Sequence, residues 1–220
     1  MLLALLLAPL AAPQQTPPAP AVPVEVVKPY KLNLRTEEEL TLPDLDGKAH
    51  ALYAAHPNQP IVLVFWGYKD PVSLHYAPLL AELARAHAGK AGFYLVDSNH
   101  DELVSGGDAL GKLREVLARE KVTLPVLIDH DQRLADDFGA TANGQAFLLD
   151  GNKFLRYHGG IDDDPRGERA RDKIEVRPWL ANALGQVLAG ERPKENWTRP
   201  AGRPIKRAPK AGVPAGAPRK

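Results

Sequence analysis

Apolar and polar positions follow two different periods along the middle of this chain. Residues 61–66 form a continuous apolar run rich in β-branched side chains, which is typical of a strand buried on both faces. A similar run spans 91–96, and a shorter one spans 126–128. After the first run, apolar residues recur at helical spacing over 74–88, and this pattern stops at Gly89. The pattern therefore predicts strands that alternate with helices.

Further segments complete this prediction. An Asp-Gly dipeptide between alternating apolar residues is a strong hairpin signal, and it occurs at 46–47 and at 150–151. We therefore expect hairpins over 40–52 and 145–158. Helices are predicted over 108–121, 133–138 and 176–188. The order of elements implies an α/β fold with a central mixed sheet flanked by helices.

One segment carries a specific resemblance. Residues 61–73 read IVLVFWGYKDPVS, which resembles the strand-to-helix turn of thioredoxin-like redoxins, where Phe-Trp runs into Cys-Pro-x-Cys or Cys-Pro-x-Ser. Other motifs similar to that family stand at 42–47, 76–79, 124–129, 147–150, 160–163 and 201–206. The family is the alkyl-hydroperoxide-reductase and thiol-specific-antioxidant type, seen in exported bacterial thiol–disulfide proteins. The resemblance covers 38–207 and implies a thioredoxin-like fold with thiol–disulfide or peroxidase activity.

Three positions depart from that family. Asp70 stands in the place of the reactive cysteine and Ser73 in the place of its partner. Arg203 replaces a second family cysteine in a Gly-Cys-x-Ile-Lys pattern, and Gly144 replaces a proline that the family holds in cis. The whole chain has no cysteine. This excludes thiol catalysis, zinc–thiolate sites and iron–sulfur clusters, so whether the chain is an enzyme at all stays open.

The residue types at the altered site favour structure over catalysis. Asp70 directly precedes Pro71, so its carboxylate is well placed to cap the following helix. The alternative is a ligand or general base, but a carboxylate stabilised by a helix dipole is a poor proton acceptor near neutral pH. Phe65, Trp66 and Pro71 are predicted to form the wall of the old pocket. We expect no catalytic residue and no cofactor.

Two further hypotheses concern charged residues. Asp70 and Arg203 carry opposite charges at positions where the family's cysteines could approach each other, so an ion pair could dock the tail. The alternative is independent replacement by residues that tolerate solvent. The acidic run 162–164 lacks the alternating spacing of a calcium loop, and the seven histidines are scattered. We therefore expect a solvated turn at 162–164 and no metal site.

Composition divides the chain into four parts. Residues 1–12 are apolar and too short to span a bilayer, which predicts a signal peptide, although no Lys or Arg precedes the run. Residues 13–37 read as a Pro-rich linker and lead-in, 38–190 as the redoxin domain, and 191–220 as a basic tail rich in Pro, Gly and Ala. We expect export to the periplasm or beyond, with no transmembrane span after signal removal. A cytoplasmic protein with an uncleaved apolar start is the alternative.

Charge bears on the possible partners. The net charge is +1, yet 191–220 carries +7 and 25–190 carries −6. Residues 199–220 hold seven basic side chains and no acidic one, which suggests nucleic acid, envelope lipid or an acidic partner. The tail lacks interleaved aromatics for stacking on bases, so a solvated tail is the alternative.

Three functions are compatible with the sequence. The first is a binding or structural module of the cell envelope with an unknown protein partner. The second is the family's thiol–disulfide oxidoreductase or antioxidant peroxidase activity, against which the absence of cysteine argues. The third is polyanion binding through 199–220.

Overall fold

The computed structural model describes residues 30–36, 39–104 and 108–209. Seven strands and seven helices lie within these residues. In chain order they are β1 (Thr41–Pro43), β2 (Ala49–Ala51), α1 (Leu52–Ala55), β3 (Ile61–Phe65), α2 (Pro71–Ala86), β4 (Gly92–Asp97), α3 (His100–Leu103), α4 (Ala109–Arg119), β5 (Val126–Ile128), α5 (Arg133–Phe138), β6 (Gln145–Leu149), β7 (Leu155–Gly159), α6 (Glu168–Arg171) and α7 (Trp179–Leu188).

A five-stranded mixed sheet forms the centre of the molecule, in the order β5-β4-β3-β6-β7. Strand β3 pairs parallel with β4 and antiparallel with β6, and all five of its residues are buried. This burial on both faces is what the continuous apolar run predicts. The α/β architecture with a central mixed sheet is therefore confirmed. Strands β1 and β2 form a separate antiparallel hairpin.

Each face of the sheet has its own apolar core. On one face, alternate residues of β3 pack with α2, α4 and α7, through side chains such as Leu80, Leu113 and Leu180. On the other face, Phe65 packs with α5 and with the β1–β2 hairpin. Because successive strand residues point to opposite faces, one short strand supplies both cores.

Element boundaries differ from the sequence-based expectation mainly after β7. The last helix was expected from residue 176, but α7 begins at Trp179. Pro178 explains the later start, because a proline disfavours helical geometry at the residue before it. The one-turn helices α1, α3 and α6 are absent from the prediction, since each is too short to show helical periodicity.

Residues 191–209 contain no regular helix or strand, but they pack along the sheet. Trp197 forms an isolated parallel bridge with His158, and Pro204 forms an antiparallel one with Ala142. Ile205 is only 6% exposed. The predicted signal peptide, most of the linker and residues 210–220 lie outside the described residues. Within the described ranges, no helix is long and apolar enough to cross a membrane.

His158 is expected to make stability depend on pH. Its ring stacks on Phe147, and burial lowers the pKa of its imidazole below the ordinary 6.5. As pH falls below that value, the unfolded chain takes up a proton that the folded chain resists, so the free energy of unfolding decreases. His158→Phe keeps an aromatic ring without the titration.

Urea unfolding of both proteins between pH 5 and 8 checks this. The variant should lose less stability on acidification than the wild type. Parallel pH curves would contradict the assignment.

Candidate functional site

Asp70, which stands in the place of the family's reactive cysteine, lies where the ends of several strands and the start of a helix meet. Strands β3 and β4 run parallel and end at the same edge of the sheet, at Phe65 and Asp97. Strand β6 runs antiparallel to β3 and begins there, since Phe65 pairs with Gln145. The turn from Gly67 to Asp70, the start of α2 and residues 202–208 all converge on this edge. We call residues 202–208 the strap.

Asp70 caps α2. Its carboxylate is 2% exposed, and one oxygen, Oδ2, accepts from the Ser73 backbone N–H and from the Ser73 hydroxyl, both at 3.1 Å. The other oxygen, Oδ1, accepts from the backbone N–H of Arg203 at 3.4 Å. Both carboxylate oxygens are thus occupied by donors that hold the fold together.

Ser73 offers no nucleophile. Its hydroxyl donates to Asp70 and accepts the Gly67 backbone N–H at 3.3 Å, and the side chain is fully buried. The Ser73 carbonyl accepts the Trp66 indole N–H at 2.9 Å. Among the described residues its hydrogen-bond partners are the Asp70 carboxylate, which already caps α2, and the Gly67 backbone amide, so no histidine or lysine is hydrogen-bonded to this hydroxyl.

The turn before Asp70 is held by hydrogen bonds from its backbone to a buried carboxylate. Glu102, at 2% exposure, accepts the backbone N–H of Tyr68 at 2.7 Å and that of Lys69 at 3.0 Å. The Lys69 ammonium reaches the Asp101 carboxylate at 3.0 Å. Helix α3 therefore fixes the shape of the turn.

A pair of buried amides lies beneath the turn. Asn99 Nδ2 donates to Asn143 Oδ1 at 3.0 Å, and Asn143 Nδ2 donates back to Asn99 Oδ1 at 3.2 Å. Asn99 Nδ2 also donates to the Trp66 carbonyl and to Asp97 Oδ1. Buried polar groups of this kind are costly unless paired, so the interlocked amides fix β3, β4 and the start of β6 relative to one another.

Asp97 is the least satisfied group of this cluster. Its Oδ1 accepts from the backbone and side chain of Asn99, whereas no amide or hydroxyl donates to its buried Oδ2, and the Glu102 carboxyl lies close to Asp97. Burial, followed by the nearby charge of Glu102, raises the pKa of Asp97 well above its ordinary 3.8. Burial likewise raises the pKa of Glu102, although two backbone N–H groups oppose this shift. Asp97 therefore holds its proton to a higher pH than an ordinary aspartate.

Gly144 stands in a conformation that excludes proline. Its φ is +71°, whereas the proline ring fixes φ near −65°. Its N–H donates to the Phe65 carbonyl at 2.7 Å, a bond that proline could not make. Among the described residues there is no cis peptide bond. The backbone here is thus organised differently from the family's cis-proline turn.

Asp70 and Arg203 meet, but not through an ion pair. The Arg203 backbone N–H approaches the Asp70 carboxylate, while its guanidinium donates to the Lys69 carbonyl at 3.0 Å. The Asp70 carboxylate therefore faces the backbone of the strap, and the Arg203 side chain contacts the turn. The ion-pair hypothesis is therefore replaced by a backbone contact.

An open groove of about 760 Å³ lies beside the Asp70 cap. Pro71 belongs to its wall. Phe65 and Trp66, which the sequence also predicts for the wall, are fully buried on opposite faces of the sheet and do not line the groove. Its other lining residues come from α2, from the segment that includes α6, and from the strap. They include Val72, His75, Asp163, Arg166, Glu168, Arg169 and Gly202.

The acidic run at 162–164 is not the solvated turn that the sequence predicts, because Asp162 and Asp164 are buried and make internal contacts. Asp162 accepts the Tyr76 hydroxyl, and Asp164 accepts the N–H groups of Arg169 and Ala170 at the start of α6. Asp163 faces two arginines and accepts the Arg177 N–H at 2.8 Å. No cluster of three metal-ligating side chains occurs in the described part of the chain.

A second cavity of about 520 Å³ lies between β1 and α5. It contains Asp129, whose carboxylate accepts from the Ser98 hydroxyl and from the N–H groups of Leu134 and Ala135. This carboxylate stabilises the start of α5 and leaves little capacity for a ligand.

The family is established by sequence. The pattern of the AhpC/TSA family matches residues 36–158, which is more than half of the chain, so this protein belongs to that family. The matched range includes Asp70 and Gly144, whereas Arg203 lies beyond it. No curated protein matches the chain.

Solved structures confirm a thioredoxin-like fold. An uncharacterized conserved protein from Geobacillus kaustophilus aligns with a TM-score of 0.70 at 23% identity, over 83% of this chain and 95% of that one. A hypothetical protein from Sinorhizobium meliloti gives 0.68 at 24%, over 80% and 94%. Peroxidoxin BcpB from Mycobacterium tuberculosis gives 0.52 at 18%, over 74% and 99%. At these identities the likeness concerns the fold alone.

The sequence-based prediction missed the buried cluster. It named Asp70, Ser73, Gly144 and Arg203, which the structure brings to one edge. It did not name Asp97, Asn99, Glu102 or Asn143, which support that edge. A signal was present: a polar run directly follows the apolar strand β4, and carboxyl ends of parallel strands commonly build sites.

Removal of the Asp70 carboxylate should destabilise the protein. Asp70→Ala deletes a buried cap and leaves three donors without their acceptor, so the free energy of unfolding should fall by about 1–2 kcal/mol. Asp70→Asn retains one accepting oxygen and should cost less. Urea unfolding measures both.

Asp108→Ala is the matched control, because Asp108 caps α4 through the Gly111 N–H without touching the strap. The capping role would be refuted by an Asp70→Ala variant as stable as the wild type.

Asp97→Asn should change how stability depends on pH. The folded-state pKa of Asp97 is raised, so its contribution is fully present below pH 3.8 and is lost as pH rises through the folded value. An asparagine keeps the Oδ1 acceptor but cannot ionise. The variant should therefore gain stability relative to the wild type as pH increases from 4 to 9. Urea unfolding measures the free energy of unfolding of both proteins. If the difference between them is the same at every pH, the raised pKa of Asp97 is contradicted.

Proposed function

We propose that this protein is a redoxin-fold binding module that has lost thiol redox catalysis. The observation that carries the proposal is the state of Asp70: at the position of the family's nucleophile stands a buried carboxylate whose hydrogen bonds all hold the fold. The hydroxyl of the neighbouring Ser73 is likewise engaged, since it donates to Asp70 and accepts from the Gly67 N–H. Attack on a peroxide or a disulfide needs a thiolate, and the chain contains no cysteine.

The open groove supports a binding role. It lies next to the former reaction centre, and its rim carries side chains of both signs, among them Arg166 and Glu168, which are exposed. A mixed, open rim of this kind suits a protein segment better than an enclosed small molecule. We infer that a protein partner contacts the molecule here.

The setting we propose is the cell envelope. Its support is the apolar run at 1–12 followed by a Pro-rich spacer. Intact-mass measurement of the protein from its native host tests this. Loss of residues up to about position 12 supports export, and a soluble cytosolic protein that retains Met1 refutes it.

Polyanion binding through the basic residues is less favoured. Arg203 is tied to the Lys69 carbonyl, and Arg207 binds the Ala140 carbonyl and the Asp136 carboxylate at 3.0 Å. These contacts direct two of the cations in 199–209 toward the domain.

The protein should show no peroxidase or disulfide-reductase activity. With no sulfur nucleophile, hydrogen peroxide turnover and insulin reduction should equal those of a heat-denatured sample. Turnover above that background, supported by a thioredoxin-type reductant, would contradict the loss of catalysis.

The groove should be the contact surface. A photo-crosslinking amino acid at Arg166 should capture a discrete protein partner in envelope extract, because this side chain is exposed on the rim. The matched control is the same amino acid at Asn152, which is exposed in the turn between β6 and β7 at the opposite end of the sheet. Equal labelling from both positions, or none from Arg166, would argue against the groove.

A further inference from the structure

The turn from Gly67 to Asp70 lies directly on two buried carboxyl groups, those of Asp97 and Glu102. A Cβ at Gly67 would lie 2.5 Å from Asn99 Nδ2 and 3.0 Å from Glu102 Oε1, so no side chain fits between the turn and this cluster. Asp97 is 0% exposed and Glu102 is 2% exposed, and the Glu102 carboxyl lies close to Asp97. Two acidic side chains thus meet in the interior, directly beneath the turn.

The two carboxyl groups differ in their hydrogen bonds. Both oxygens of Glu102 accept backbone N–H groups of the turn, Oε2 from Tyr68 at 2.7 Å and Oε1 from Lys69 at 3.0 Å. Asp97 Oδ1 accepts from Asn99, but no amide or hydroxyl donates to Oδ2. A buried oxygen without a donor is costly, and two adjacent carboxylates repel each other. One proton on Asp97 Oδ2, donated to Glu102, would remove both costs.

We propose that Asp97 and Glu102 share one proton, and that this proton is a switch for the turn at 67–70. With the proton in place, Asp97 Oδ2 donates to the Glu102 carboxylate, and Glu102 keeps its bonds to the backbone of Tyr68 and Lys69. Loss of the proton leaves two negative charges side by side in the interior. Their repulsion weakens the hold on the turn.

The structure indicates which carboxyl group moves. Asp97 belongs to β4 and pairs with Ile128 of the neighbouring strand β5. Glu102 belongs to α3, which is only four residues long. Short segments open locally at lower free energy than paired strands of the core. Repulsion should therefore displace Glu102 and, with it, the two backbone hydrogen bonds of the turn.

The turn also connects the carboxyl pair to the open groove. The Lys69 carbonyl accepts the Arg203 guanidinium at 3.0 Å, and both Arg203 and Asp70 line the groove. A rise in pH that releases the turn would therefore alter one wall of the groove. This consequence rests on the proposed function, whereas the switch itself can be tested without any partner.

Other charged groups surround the pair. The Tyr68 phenol and the Lys69 ammonium belong to the turn, and Asp101 lies beside Glu102 on α3. Further charged residues of this edge have contacts of their own: Asp70 with Ser73, Arg203 with the Lys69 carbonyl, Asp129 with Ser98, and the backbones of His100 and Lys206 with each other. Burial and then Glu102 raise the pKa of Asp97, so its proton is present in acid and is lost as pH rises through the raised value.

Carbon NMR of the full chain tests whether the proton is shared. The side-chain carboxyl carbons of Asp97 and Glu102 are followed between about pH 4 and pH 10. A shared proton makes both resonances respond to the same step, because the titration then belongs to the pair. In Asp97→Asn the Glu102 carbon should lack this step, since the asparagine amide donates to Glu102 at every pH.

Hydrogen exchange of the Tyr68 and Lys69 amides tests the switch. Each rate is divided by that of an unstructured peptide at the same pH, which removes the base catalysis of exchange. In the wild type, the protection of both amides should fall at least about tenfold as the pair loses its proton. In Asp97→Asn the protection should stay constant over the same range.

The amides of Leu134 and Ala135 are the matched control within the same molecule. They donate to the buried carboxylate of Asp129, as the turn donates to Glu102. The further donor to Asp129 is the Ser98 hydroxyl and not a second carboxyl group. Protection at these two amides should therefore not change across the step.

Three results would overturn the inference. A titration of the Asp97 carbon without any response at Glu102 would show that no proton is shared. Unchanged protection of the turn amides across a shared step would show that the proton does not control the turn. Absence of any step up to about pH 10 would exclude a switch. The wild-type measurements decide the matter even if Asp97→Asn fails to fold. They involve no partner, so a failure of crosslinking from Arg166 is a separate result.

Discussion

The buried carboxylate of Asp70 constrains the edge of the sheet at which β3 and β4 end and on which the strap packs. A buried carboxylate is tolerated only where donors surround it, and here the donors come from α2 and from the strap. The side chain thereby joins two segments that are more than a hundred residues apart in sequence. The N–H groups at the start of α2, which in a catalytic redoxin would stabilise a thiolate, here donate to the Asp70 carboxylate.

The support beneath Asp70 follows the same logic. Asn99 and Asn143 interlock through two amide hydrogen bonds, and Glu102 accepts two backbone N–H groups of the turn. Such a network is favourable only when nearly every member is paired. The exception is Asp97, whose Oδ2 accepts no amide or hydroxyl donor and whose burial raises the pKa of its carboxyl well above 3.8. The side chains of Asp70 and Ser73 are both engaged in hydrogen bonds within the fold.

Much of the fold was predictable because it depends on local patterns. The apolar run of β3 and the Asp-Gly turns identify their elements, and α5 was predicted with its observed bounds. Asp70 and Gly144 could be identified as site positions because they lie within motifs that resemble those of the family. The buried cluster did not, because Asn99 and Asn143 lie 44 residues apart and sequence spacing says nothing about their contact. The course of the strap was equally hidden, since it depends on backbone bonds, one buried isoleucine and one close glycine contact.

Hydrogen exchange of single amides tests the central claim, that the Asp70 carboxylate joins α2 to the strap. The amides of Ser73, Arg203 and Ile205 should be protected in the wild type, because each donates to a defined acceptor. In Asp70→Ala all three should exchange faster together, while the Gly111 amide, capped by Asp108, should not change. Faster exchange at Ser73 alone, with Arg203 and Ile205 unaffected, would show that Asp70 merely caps the helix and that the strap is held independently.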